Sequence, residues 1–253
     1  MYLYLKSEIL KTKRTNIRKI LFIIPLLCAL LALSFNFLSG DSEILSLSDV
    51  TIINHWGILW LSVLIALTAG LLNNLERKST KFKTTISLPI DLQKKEMSRV
   101  LLVTGLVLLG SIMLIICISL TNLLIHTNPY LVALSSCSLA IILMLVTSLW
   151  QIPFCLWLSR KTNFFITLLL NSMLNLNLGT FFAPTKDWWW IPYAWPLRVQ
   201  MPLTKLHSNG IPLPQNDELL SYSVIPIALV LSILFFLLML LLTVKSFNKI
   251  EVK

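Results

Sequence analysis

Residues 100–125 read VLLVTGLVLLGSIMLIICISLTNLLI, a run that contains no Asp, Glu, Lys or Arg. An α-helix rises about 1.5 Å per residue, and the hydrocarbon core of a bilayer is about 30 Å thick. About 20 consecutive apolar residues are therefore enough to cross a membrane. This run exceeds that length, so it predicts a transmembrane helix and indicates the class of the whole chain.

Five further runs meet the same length requirement, and they also lack charged residues. They are residues 20–38, 56–75, 131–158, 164–182 and 222–244. The chain is 56% hydrophobic and 13% charged, whereas a soluble domain carries about 25% charged residues. We therefore predict an all-α polytopic membrane protein, in which residues 1–253 form one transmembrane domain with six transmembrane helices.

Lys and Arg are distributed unevenly between the connections. Of the 21 in the chain, 18 lie in the N-terminal segment, the second and fourth connections and the C-terminal tail. The other three are Lys186, Arg198 and Lys205, all in the last connection. Because cytoplasmic connections are enriched in Lys and Arg, both termini are predicted to be cytoplasmic. The net charge of +10 therefore reflects topology and a lipid bilayer partner, not nucleic acid.

The N-terminal segment, residues 1–19, has an amphipathic pattern. Tyr2, Leu5 and Ile9 recur at near-helical spacing among basic residues such as Lys6 and Lys11. Such a pattern fits a helix that lies along the membrane interface, and it fits equally a charged flank of the first span. We predict an interfacial helix at residues 1–19.

The last connection, residues 183–221, is rich in tryptophan and proline. Trp188, Trp189, Trp190 and Trp195 fall within eight residues. Prolines nearby break any long helix, so short pieces that re-enter the outer leaflet are predicted before the last span. An aromatic belt at the headgroup level explains this composition, and contact with a cationic amphipathic ligand is the alternative. The residues predicted to contact ligand or membrane are Trp188, Trp189, Trp190, Tyr193, Trp195 and Arg198.

The connection on the opposite side, residues 76–99, is polar but contains apolar residues such as Phe82, Ile86, Leu88 and Ile90. A short helix here could transmit force from a cytoplasmic subunit that binds these apolar residues. A solvated basic loop attracted to anionic lipid is the other interpretation.

Asparagines interrupt the fifth predicted span, at Asn163, Asn171, Asn175 and Asn177. Asn171 and Asn175 share one helix face at i,i+4 spacing. Amides in hydrocarbon need partners, so these residues either bind other helices or line a polar path. Packing between helices is the interpretation that we favour.

No motif for catalysis or metal binding is found. The sequence has no HExxH or GxSxG, and Gly105 to Gly110, its only Gly-x4-Gly, lies inside a span without the Lys of a phosphate loop. The four cysteines have no metal-ligand spacing. The absence of ionisable residues within the spans disfavours a secondary transporter. We predict no catalytic residue, no metal site and no cofactor bound by this chain.

The arrangement resembles the permeases of type-2 ABC exporters, which have six spans, an N-terminal interfacial helix and large connections after the second and before the sixth span. In that family the first inner loop often has an acidic residue, a Thr and a Leu-Pro-Ile step. Glu76, Thr80 and Leu88-Pro89-Ile90 match this pattern, although Ser79 stands where a Gly is common. The resemblance implies that residues 76–99 dock on an ABC ATPase subunit, which would hold ATP and Mg²⁺.

The segment Trp190-Ile191-Pro192-Tyr193-Ala194-Trp195-Pro196-Leu197-Arg198, with His207-Ser208-Asn209-Gly210 after it, is similar to the permeases of lantibiotic self-immunity transporters. This resemblance implies a bacterial cell membrane, a second homologous permease and export of a cationic lantibiotic from the producer's own membrane. The alternative is a non-transporting membrane sensor or assembly subunit that binds a partner through the aromatic connection.

Overall fold

The computed structural model describes residues 1–13, 15–39, 52–80, 90–125 and 131–248. These parts of the chain are helical, and their only β pairing is one isolated bridge between Leu206 and Pro212. The helices of ten or more residues are α1 (Tyr2–Thr12), α2 (Asn16–Ser39), α3 (Leu61–Thr80), α4 (Leu92–Ile125), α5 (Leu131–Ser148), α6 (Gln151–Lys161), α7 (Phe164–Leu174), α8 (Trp195–Thr204) and α9 (Val224–Asn248). π-helical turns at Trp56–Trp60 and Asn175–Gly179 precede α3 and follow α7.

Four helical segments among the described residues are long and apolar enough to cross a membrane. They are Ile52–Lys78, Leu92–Leu120, Phe164–Phe182 and Val224–Phe247, and a bent pair of helices adds a fifth if it is one span. The prediction of an all-α, multi-span membrane protein is confirmed. The count of six spans and the side of the membrane on which the termini lie stay predictions. The first predicted span, residues 20–38, lies within α2.

The bent pair occupies the fourth predicted span, residues 131–158, which the sequence suggested was continuous. The helix axis turns by 46° between Ser148 and Gln151. Pro153 lies in the first turn of α6 and has no N–H to donate, so the regular hydrogen bond to the carbonyl of Leu149 cannot form. The amide of Ile152 bonds to that carbonyl instead, at 3.0 Å, in a tighter turn.

The polar connection at residues 76–99 is shorter than predicted. Helix α3 continues to Thr80, and α4 begins at Leu92. The Asp91 carboxylate starts α4 by accepting hydrogen bonds from the amides of Gln93 (3.0 Å) and Lys94 (3.1 Å). These bonds, led by that of Lys94, lower the pKa of Asp91. Hydropathy missed the first two turns of α4 because half of their residues are charged, although Lys, Glu and Arg have good intrinsic helix propensity.

Helix α3 is the centre of the bundle. It packs against α2, α4, α6 and α7, and Leu64, Ile65 and Ala66 are completely buried. By contrast, large apolar side chains on the outward faces of α2, α4 and α9 are exposed. Apolar side chains can face outward in this way where the surroundings are lipid.

The connection between α7 and α9 is folded against the bundle. It contains 3-10 turns at Trp188–Trp190, Pro192–Ala194 and Glu218–Leu220. Helix α8 lies between the second and third turns and packs mainly against α5, with most of its residues buried. Whether this segment re-enters the membrane stays a prediction.

Candidate functional site

The helical segment Ile52–Lys78, which includes most of α3, carries a different polar assembly at each end. Near its start, Asn54 donates to the carbonyl of Ser208 at 3.4 Å in one assembly, and near its end Glu76 belongs to the other. At 1.5 Å per residue these positions are about 33 Å apart, which is close to the thickness of a hydrocarbon core.

At the Glu76 end, charged side chains from α1, α3, α4 and α6 form one buried group, which we call the ion cluster. Its members are Glu8, Lys11, Glu76, Lys95, Glu96, Arg99 and Arg160. The side chains of Glu96 and Arg99 have no exposed surface. Charges in such surroundings are stable only when they are paired and hydrogen-bonded.

Glu76 connects three helices. Its Oε1 atom is 3.0 Å from Nζ of Lys11 in α1 and 2.8 Å from Nζ of Lys95 in α4. Its Oε2 atom is 3.7 Å from Nη1 of Arg99, also in α4. One carboxylate of α3 therefore holds both the N-terminal helix and the beginning of α4.

Glu96 is the second carboxylate at the centre of the cluster. It lies 3.4 Å from Nη1 of Arg99 and pairs directly with Arg160 of α6. The Arg160 guanidinium also lies over the ring of Phe247, 4.8 Å from its centre, and donates to the carbonyl of Thr243 in α9. Glu96 thus joins α4 to α6 and, through Arg160, to α9.

The cluster contains four bases and three acids, so neutral groups help to hold the extra positive charge. Arg99 donates to Oδ1 of Asn73, whose amide donates to the carbonyl of Leu156 at 2.8 Å.

Lys11 lies at the edge of the cluster. Burial works to lower the pKa of Lys11, but the carboxylates of Glu8 and Glu76 raise it above its usual value of 10.5.

Arg77 is a further base at this end, and it binds main-chain groups. Its guanidinium donates to the carbonyls of Ser159 (3.1 Å), Arg160 (2.7 Å) and Thr162 (2.6 Å). These carbonyls lie at the C-terminus of α6, where a cation complements the helix dipole. Arg77 therefore fixes the end of α6 against α3.

Of the predicted coupling residues, Glu76 lies in the ion cluster and Thr80 is the last residue of α3. Ile90 is half-buried just before α4, whereas Leu88 and Pro89 lie outside the described residues. The amide of Asp91 donates to the Tyr4 hydroxyl of α1 at 3.1 Å. Helix α1 therefore contacts the chain on both sides of residues 81–89.

At the Asn54 end, polar side chains bind main-chain carbonyls in what we call the aromatic frame, built from Trp188, Tyr193, Trp195, Arg198 and Ser208. Trp195 Nε1 donates to the carbonyl of Trp189 at 3.1 Å, and Arg198 donates to that of Leu219 at 2.8 Å. Ser208 donates to the carbonyl of Thr180 at 2.9 Å. These bonds fix the connection between α7 and α9 to itself and to the end of the α7 segment.

Aromatic rings pack behind these hydrogen bonds. Trp150, at the bend between α5 and α6, has ring contacts with Tyr193 at 4.8 Å and with Phe235 of α9 at 5.1 Å between centres. Trp195 also contacts Phe235, at 5.9 Å. The frame is therefore anchored to the helices on two sides.

The structure divides the six residues predicted to contact ligand or membrane. Trp188, Tyr193, Trp195 and Arg198 are buried in the frame. Only Trp189 and Trp190 are exposed, with 43% and 68% of their surface accessible, and their rings lie 4.3 Å apart. Composition could not separate the two groups, because tryptophan is equally suited to a core and to a membrane interface.

Asn171 and Asn175 are buried and bind other helices. Asn171 donates to the carbonyl of Ser62 and to Oε1 of Gln151, both at 3.0 Å, and accepts from the Tyr193 hydroxyl. Asn175 donates to the carbonyls of Gly57 (2.9 Å) and Ile58 (2.6 Å). Both carbonyls lie in the π-helical turn before α3, where the regular hydrogen-bond pattern changes. These contacts support the packing interpretation over a polar path.

The ion cluster was missed by the sequence reasoning, which used Lys95, Arg99 and Arg160 only to count charges on one side. A signal was available, since Lys95, Glu96 and Arg99 lie within one turn and α3 ends in Glu76-Arg77-Lys78. Opposite charges at the facing ends of two neighbouring helices favour pairing between them.

Several helices are long and apolar enough to cross a bilayer, and they pack into one bundle with a charged end. This fold defines the class of the protein as a multi-span membrane protein. Residues 4–177 match the family model described as ABC-2 family transporter protein. The match covers more than half of the chain, so this protein belongs to that family and is a transmembrane permease component of an ABC transporter. No curated protein and no solved structure gave a significant match. The matched residues include the ion cluster and end before the aromatic frame.

Proposed function

We propose that this permease removes a lantibiotic, or a similar cationic antimicrobial peptide, from the membrane of the cell that produces it. It would act with a second homologous permease and with a separate ATPase subunit that holds ATP and Mg²⁺. The observation that carries this proposal is the exposed Trp189–Trp190 pair, presented by a frame whose other aromatic residues are buried.

The exposed pair has the chemistry to bind a cationic amphipathic peptide. Indole rings offer a large apolar surface and attract cations through their faces. Asp187 lies two residues before the pair, and Asp217 and Glu218 lie in the same connection. On the predicted outer side of the membrane, acids exceed Lys and Arg by three. Such a surface favours a positively charged ligand over a negatively charged one.

The ion cluster is suited to receive force from an ATPase. The predicted docking segment lies between α3 and α4. Glu76 ties α3 to α1 through Lys11, and the Asp91 amide ties the start of α4 to α1 through Tyr4. Lys95 joins α4 to α3 through Glu76. A push on residues 81–89 would therefore displace α1, α3 and α4 together. Through Glu96 and Arg160 the displacement would reach α6 and α9.

Peptide tolerance of cells that express the complete transporter tests the proposal. Trp189→Ala/Trp190→Ala removes the exposed pair without removing a side-chain hydrogen bond of the frame, so tolerance is expected to fall toward that of cells without the transporter. Tyr222→Ala, which removes an exposed aromatic side chain just before α9, is the matched control and is expected to retain tolerance. Equal amounts of protein in the membrane must be verified by immunoblot.

Two outcomes would contradict the proposal. Wild-type tolerance in the double variant would show that the Trp pair does not contact the peptide. Unchanged tolerance after deletion of the whole permease would show that peptide export is not its function.

A further inference from the structure

A groove with a volume of about 560 Å³ lies between α1, α2 and α4, outside both polar assemblies. Its walls are almost entirely apolar and include Leu5 and Ile9 of α1, Leu21 and Phe22 of α2, and Leu109 of α4. A groove of this size and polarity is within the range that binds small molecules.

The groove opens on the surface that faces lipid. Phe22 and Leu109, on its two sides, are 56% and 53% exposed. Between them, Gly105 leaves a gap in the wall of α4, because a Cβ atom placed on it would have no heavy atom within 4 Å. The space at Gly105 is therefore open to an occupant from the bilayer.

The length of the groove matches one leaflet. On α4 its lining extends from Leu101 to Met113, which is about 18 Å at 1.5 Å per residue. Half of a 30 Å hydrocarbon core is about 15 Å. An extended acyl chain would therefore run along α4 for most of the groove.

Among the described residues, the one charged side chain in the lining is that of Arg18, in the first turn of α2. Within the described parts of the chain, the Arg18 guanidinium has no hydrogen-bond or ion-pair partner, although it is half-buried. Thr12, at the end of α1, lines the groove as well. A guanidinium beside an apolar groove complements a phosphate that carries an acyl chain.

We propose that this groove binds an anionic phospholipid, with one acyl chain along Gly105 and Leu109 and the phosphate on Arg18. The lipid would fill the space between α1, α2 and α4 and hold α1 beside the ion cluster. This site is distinct from the Trp pair and does not depend on the exported substrate.

Native mass spectrometry of the purified full-length chain tests this site, with phosphatidylglycerol as the probe and phosphatidylcholine as the neutral comparison. The wild-type protein is expected to retain one phosphatidylglycerol in preference to phosphatidylcholine. Arg18→Gln is expected to weaken that preference by about fivefold, the effect of one basic residue near an anionic headgroup. Arg18→Lys keeps the charge and is expected to keep most of the preference.

Gly105→Phe places a ring in the open space and is expected to abolish retention of the tightly bound lipid. The matched controls are Lys19→Gln, a neighbouring exposed base, and Leu108→Phe, an exposed α4 residue outside the lining. Both controls are expected to retain the lipid, and a thermal melt verifies that each variant is folded.

Three results would overturn the proposal. Lipid retention could be unchanged in both Arg18→Gln and Gly105→Phe, or the controls could lose lipid to the same extent as these variants. Alternatively, Gly105→Phe could change the number of protein subunits while the lipid is retained. That last result would assign the groove to contact with another protein chain.

Discussion

The ion cluster and the aromatic frame lie at opposite ends of the same helices and are held together in different ways. In the ion cluster, side chains of separate helices bind one another, and Glu76 is shared by Lys11, Lys95 and Arg99. In the aromatic frame, Trp195, Arg198 and Ser208 each bind a main-chain carbonyl. A shared carboxylate can exchange partners when helices shift, whereas a bond to a main-chain carbonyl is lost when the chain moves. We therefore expect the helices at the ion-cluster end to shift more than the aromatic end, although Arg77 also holds α6 to α3 there through main-chain carbonyls.

The largest effect on stability is expected at the centre of the ion cluster. Glu96→Gln leaves Arg99 and Arg160 buried without their nearest carboxylate, and breaking such a pair costs about 3–5 kcal/mol. Unfolding in denaturing detergent, monitored by circular dichroism, measures the loss. The matched control is Lys94→Gln, which removes an exposed charge two residues away. A loss below about 1 kcal/mol for Glu96→Gln would mean that the cluster is hydrated and not held by its charges.

A smaller effect is expected in the aromatic frame. Arg198→Met keeps much of the apolar stem but removes the donor to the Leu219 carbonyl, and the lost hydrogen bond is expected to cost about 1.5–3 kcal/mol. Limited proteolysis between α8 and α9 should become faster, by the factor that corresponds to this loss of free energy. Unchanged proteolysis in this connection would contradict a frame held by main-chain contacts.

The amides between the two ends are expected to contribute less. Asn175→Leu removes two hydrogen bonds to the π-helical turn, at a cost of about 0.6–1.7 kcal/mol in a membrane bundle. Asn177→Leu is the matched control, because the exposed Asn177 side chain donates to the carbonyl of Met173 within its own helical segment. Loss of transport in Asn175→Leu without any loss of stability would instead favour a polar path.

The smallest expected effect concerns pH and Lys11. Its pKa is raised above 10.5, so its stabilising contribution is complete below pH 10.5 and is lost as the pH rises through the folded-state pKa. Because Lys11 is 41% exposed, the contribution is expected to stay below about 1 kcal/mol. Protease cleavage between α1 and α2 should therefore increase slightly above pH 10.5. Lys11→Arg stays charged and should remove this pH dependence; an identical increase in both proteins would assign it to other groups.

The sequence predicted the parts of the fold that depend on local composition. The apolar runs at residues 56–75, 164–182 and 222–244 are helical for most of their length, because hydropathy directly reports the cost of placing side chains in lipid. The bend at Leu149 and Trp150 was not predicted, since Pro153 lies in a continuous apolar run and hydropathy does not detect a lost hydrogen bond.

The contacts between helices were beyond prediction from one sequence. Trp189 and Trp195 have the same chemistry, yet one is exposed and the other is buried against Phe235. Similarly, Glu76 and Arg160 are 84 positions apart in the chain, and only the packing of α3, α4 and α6 brings them into one cluster. Partners in a bundle are determined by tertiary packing and not by local pattern.

Distances between spin labels at the two ends test the central comparison most directly. In a cysteine-free background, one pair at the exposed positions Lys6 and Lys245 reports on the ion-cluster end, and another at Lys205 and Ser223 reports on the aromatic end. In the complete transporter, a non-hydrolysable ATP analogue is expected to change the first distance by several ångströms while the second keeps its value. A change at the aromatic end as large as that at the ion-cluster end, or no change at the ion-cluster end, would contradict the account.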